Sequence, residues 1–122
     1  MPGAGGTILN VSGVVVGGNL EQEYDARIKA LREQYLAALP QRRADIAEHW
    51  CACAMDTASP AWRELQSHAH RLAGSAPCYG LDEVGEIAQR LDRLLSGKSP
   101  CRDAAVLAPL VARLLDALDD TG

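Results

Sequence analysis

The chain has 122 residues and a formal net charge of −4, enough for one small hydrophobic core and too little for a complete ATP-dependent kinase. Its acidic balance, with a pI near 5.3, and its lack of any lysine- or arginine-dense block leave no surface suited to nucleic acid. No apolar run, Val14 to Val16 included, approaches the length needed to span a bilayer.

Residues 1–19 contain six of the eleven glycines and no charged side chain, so they read as a flexible tail or linker ahead of a domain over 20–122. Thr7–Val11 and Val14–Val16 flank Ser12-Gly13, which carries a hairpin signal. Such an apolar segment could also pair with its counterpart in a second copy, which makes residues 7–16 a candidate dimerisation element.

From Leu20 the hydrophobic period becomes helical. Tyr24, Ile28, Leu31, Tyr35 and Leu39 share one face of a first helix, expected to end near Pro40. Ile46, Ala47, Trp50, Cys53 and Ala54 do the same for a second helix over about residues 41–56. Ser59-Pro60 is a start signal, with Ser59 as cap and Pro60 at the first helical position. The third helix should then run to about Cys78, with Gly80 as the left-handed stop. Asp82 and Glu83 open a fourth helix carrying Val84, Ile87, Ala88, Leu91 and Leu95, which stops at Gly97. Ser99-Pro100 repeats the start signal for a last helix over about 101–119. Its stripe is Leu107, Val111, Leu114 and Leu118, with a kink or restart expected at Pro109. The fold class is therefore all-α: an up-and-down four-helix bundle with an additional N-terminal helix and a Gly-rich N-terminal tail.

Cys51, Cys53, Cys78 and Cys101 follow neither a paired C-x-x-C metal pattern nor a secreted disulfide framework, and no signal-peptide pattern precedes them. Reduced thiols and a cytoplasmic location are expected. On a helix Cys51 and Cys53 point roughly 200° apart, which opposes joint ligation of one zinc ion.

The third helix holds the chemistry. Trp62, Leu65, Ala69, Leu72 and Ala76 define its buried stripe, and His70 lies roughly 130° from the centre of that stripe, facing water. A neutral exposed imidazole offers a nucleophilic nitrogen near pH 7, although most surface histidines merely titrate. The neighbours three and four positions away are Gln66, Ser67, Ala73 and Gly74, three of them small. Glycine within a helix costs about 1 kcal/mol relative to alanine, and at position 74 it leaves the imidazole approachable by a bulky partner. The alternative is close helix–helix contact at Gly74, which its outward angle opposes. Close packing is the better account of Gly85. His68 is expected at the bundle edge and His49 on the surface, neither with a catalytic role.

The stretch AHRLAGSAPCYGL, residues 69–81, resembles the signature of the histidine-containing phosphotransfer (HPt) family: Ala-His, any residue, Leu-Lys-Gly-Ser-Ala, then a glycine ten residues after the histidine. Ala69, His70, Leu72, Gly74, Ser75, Ala76 and Gly80 match, and the likeness extends over about residues 20–119. One position departs from it: Ala73 stands where the family usually has a lysine thought to compensate phosphate charge. Arg71 is a candidate for that role, although it sits about 100° round the helix from His70.

The resemblance implies a cytoplasmic phosphorelay carrier without kinase activity of its own. His70 would take a phosphoryl group through Nε2 from the aspartyl phosphate of a response-regulator receiver domain and pass it to another receiver. A hybrid sensor histidine kinase is a further implied partner. No cofactor is expected on this chain, since the receiver would bring the magnesium ion. Asp92, at the flank of the fourth helix, corresponds to a position where the family often has an acidic or amide residue. It could accept a hydrogen bond from Nδ1 or remain an ordinary solvated carboxylate; Gln89 and Gln66 are the other candidates. Ala73 also keeps open a noncatalytic module that binds a receiver or kinase without carrying phosphate. A cysteine-based redox or metal protein is a third reading.

Overall fold

Every apolar residue of the stripe expected on the third helix is buried: Trp62, Leu65, Ala69, Leu72 and Ala76 are all at most 3% exposed. The computed structural model that shows this describes residues 16–121, with side chains from Leu20 onward. Four α-helices order these residues: α1 (Val16–Met55), α2 (Ala61–Ser75), α3 (Asp82–Leu95) and α4 (Ala104–Asp119), with a 3₁₀ helix over Ala76–Tyr79 after α2. No strand occurs among the described residues. The hairpin and the self-pairing expected for residues 7–16 lie outside them, apart from Val16, the first residue of α1.

The chain divides into two compact units, residues 1–34 and 35–122. The second holds the helical bundle. Leu39, Ile46 and Cys53 of α1 join the stripes of α2, α3 and α4 in one core, and all the apolar residues predicted to be buried on α3 and α4 are in it. Full burial of each leucine, isoleucine or valine contributes about 1.5–3 kcal/mol. Connections of five to eight residues lie between successive α-helices, which suits neighbours running in opposite directions.

The helix expected to end near Pro40 does not end there. Residues 20–40 and 41–56 belong to one continuous α1 with Pro40 inside it, so the additional N-terminal helix is not separate. Leu39, Ile46 and Cys53 recur every seven residues across the proline and bury the same face. That continuous packing offsets the lost hydrogen bond and the ring clash, a cost of about 3 kcal/mol or more. Tyr24, Ile28 and Leu31, expected on the buried face, are instead exposed, and Tyr35 is half-buried.

Two other boundaries shift for local reasons. The third helix leaves α geometry after Ser75, because Pro77 has no N–H to continue the ladder, and closes as a 3₁₀ turn on Gly80 at φ +80°. The last helix begins at Ala104, not near 101. Asp103 caps it by accepting from the Ala105 amide at 2.9 Å, and Cys101 N–H is held by Leu94 O in the connector. Pro109 lies within α4, which continues without a restart. Ser59 Oγ accepts from Ala61 N–H at 3.1 Å at the entrance to α2. Gly85 has a packing reason: a Cβ there would lie 2.6 Å from Pro77 Cγ. The four cysteines are free; burial pushes the Cys53 thiol up to about 11, against a smaller opposing effect of Arg102.

Candidate functional site

His70 projects from α2 with 73% of its side chain exposed, and its Nδ1 lies 3.0 Å from Asp92 Oδ2 on α3. A carboxylate only accepts hydrogen bonds, so this contact assigns the ring hydrogen to Nδ1 and leaves the Nε2 lone pair for an incoming group. Asp92 is itself fixed. Its side chain is 18% exposed, and Gln66 Nε2 donates to its other oxygen at 2.8 Å. Gln66 thus holds the carboxylate in place while Asp92 contacts the ring. Gln89 is exposed on α3.

One turn after His70 along α2, space is open. A Cβ built on Gly74 would meet nothing within 4 Å, so close helix packing is not the reason for this glycine. An open depression is lined by His70, Gly74, Ser75, Arg71, Tyr35, Arg42 and Tyr79. Its wall is connected by hydrogen bonds. Ser75 Oγ donates to Arg71 O at 2.7 Å, so its contact with Tyr35 Oη, also 2.7 Å, is one in which the tyrosine donates. The Tyr35 ring stacks on Tyr79 at 4.3 Å.

Two guanidinium groups line the depression, and they differ. Arg71 Nη2 donates to Ser67 Oγ at 3.1 Å along its own helix. Arg42, half-buried on α1, forms no hydrogen bond or ion pair among the described residues. Ala73 is half-buried against the core, away from the open surface around His70. Arg42, Tyr35 and Tyr79 are not among the site residues expected from the sequence. The first two are 28 and 35 positions from His70, and no local pattern links them to it.

His68, two residues earlier, has a different environment. Its ring is half-buried, 5.5 Å from His49, and its Nδ1 is buried without a hydrogen-bond partner. Burial lowers its pKa first, and the nearby His49, Arg71 and Arg42 lower it further, opposed only by Asp45. Neither His68 nor His49 is a plain surface residue.

Fold and site together define a small helical bundle that presents one braced imidazole to solvent. The family model described as "Hpt domain" matches residues 30–121, and the chain belongs to that family. Comparison with curated proteins and with solved structures gave no match. Among the described residues, no helix is long and apolar enough to cross a membrane.

Proposed function

We propose that this chain is a phosphorelay carrier in two-component signalling, with His70 as the phosphoacceptor. The observation that supports it best is the exposed imidazole whose Nδ1 is bonded to Asp92. In the forward step the Nε2 lone pair attacks the phosphorus of a receiver's aspartyl phosphate. The bond from phosphorus to the aspartyl oxygen breaks, and the carboxylate leaves with its electron pair. No proton has to leave Nε2, because the ring hydrogen is already on Nδ1. The phosphorylated ring is cationic, and Asp92 stabilises that charge as well as fixing the tautomer. Attack by a second receiver's aspartate on the same phosphorus reverses the bonding and returns the neutral ring.

Loose phosphoryl transfer depends mainly on positioning and charge compensation. The receiver contributes its metal ion and acidic pocket, and the open surface at Gly74 admits them. We assign the compensating charge on this side to Arg42, not Arg71: it lines the depression and has no partner there to give up. Ala73 favours the second reading, a module that binds receivers without carrying phosphate.

Incubation with phosphorylated receivers from the source organism separates the two. A carrier acquires acid-labile, alkali-stable label that disappears in His70→Gln and forms about tenfold more slowly in Arg42→Ala. Arg71→Ala should stay near the native rate. Receiver binding without any label would establish the noncatalytic module instead.

A further inference from the structure

The first half of α1 presents an apolar stripe to solvent. Leu20, Tyr24, Ile28 and Leu31 are 60%, 66%, 44% and 43% exposed. Their spacings of four, four and three place them within an arc of about 80° on a helix turning 100° per residue. A contiguous apolar strip edged by charge marks an interaction surface, and here the edging has an order. Glu21, Glu23 and Asp25 come first with no basic residue among them; Arg27, Lys29 and Arg32 follow, opposed by Glu33 alone.

An acidic segment followed by a basic one along a single helix is complementary to itself in one orientation. Asp25 and Arg32 lie on the same flank of the stripe, each roughly 80–100° from its centre, and Arg27 lies on the other flank. Two antiparallel helices bring like flanks together, so Asp25 of each copy faces Arg32 of the other. Two parallel helices bring opposite flanks together, which sets Arg27 against Arg32 and acid against acid. Contacts related by a two-fold axis are made twice, so each favourable pair counts double. A foreign partner would have to reproduce both signs in mirror order; a second copy does so by construction.

We propose that residues 20–34 of two copies of this chain pair as antiparallel helices, with Ile28 of one packed on Leu31 of the other and Asp25 facing Arg32 at both ends. The stripe is short, in the class of interfaces burying less than about 1,200 Å², where association is weak and depends on concentration.

Sedimentation of the full chain between about 10 μM and about 1 mM covers this range. The native protein should pass from monomer to dimer, and added salt should weaken the dimer. Ile28→Asp should remain monomeric. Asp25→Arg should weaken the dimer about tenfold, and adding Arg32→Asp to it should restore affinity to within about threefold. These positions are exposed, and circular dichroism of each variant checks that helix content is kept. A native chain still monomeric at about 1 mM overturns the proposal. So does a dimer indifferent to Ile28→Asp, which would place association elsewhere, residues 1–15 included. A double charge reversal no better than the single one overturns the antiparallel arrangement.

Discussion

His68 and His70 stand two residues apart on α2, and the helix turns them into different chemical objects. His70 is open, and its Nδ1 is bonded to a carboxylate that is itself held by Gln66. His68 is wedged beside His49 with a buried nitrogen that has no partner. A nucleophile needs an exposed lone pair and a fixed tautomer, and only the first ring has both. Burial without a partner does the opposite, because it disfavours the charged form and closes off approach.

The contrast can be broken at its strongest point first. Asp92→Ala releases the His70 ring while leaving it exposed, and should slow phosphorylation by a receiver about tenfold to a hundredfold with little loss of stability. Native rates in that variant would mean that exposure alone is sufficient. Rapid-quench measurement of label on the carrier provides the comparison.

Gly74→Ala separates access from stability. Nothing lies within 4 Å of the added methyl, so the helix should gain about 0.5–1 kcal/mol and the melting temperature should rise. Transfer should nonetheless slow several-fold, since the methyl stands one turn from His70 on the approach surface. A variant that is both more stable and equally fast would remove the open-surface account of this glycine.

The smallest effect belongs to His68. Its pKa is lowered from 6.5 in the folded chain, chiefly by burial, so the unfolded chain takes up the proton first as pH falls. Stability present above about pH 6.5 should therefore decline as the solution is acidified through the lowered folded value. Urea unfolding at a series of pH values should show this decline in the native protein and a flatter profile in His68→Asn. Identical profiles would show that the buried nitrogen has no thermodynamic consequence.

Much of this was legible in the sequence, for a physical reason. On α2, α3 and α4 the hydrophobic period coincides with burial, because each helix has one face on a shared core; the outward direction of His70 and the flank position of Asp92 follow from the same angular count. α1 departs from expectation where a local rule competes with a longer pattern. Pro40 signals a stop, but the seven-residue recurrence of Leu39, Ile46 and Cys53 continues across it and keeps one helix. Tyr24, Ile28 and Leu31 have a core-like period and are exposed, which periodicity alone does not distinguish from burial. The wall formed by Tyr35, Arg42 and Tyr79 depends on helix pairing, and a single sequence carries no signal for that.

The most direct test is long-range ¹H–¹⁵N NMR of the protein labelled at histidine and phosphorylated by a receiver. The phosphoryl group is expected on Nε2 of His70, with Nδ1 still protonated and hydrogen-bonded to Asp92. Phosphorylation at Nδ1, on His49 or His68, or on no histidine at all would contradict the account.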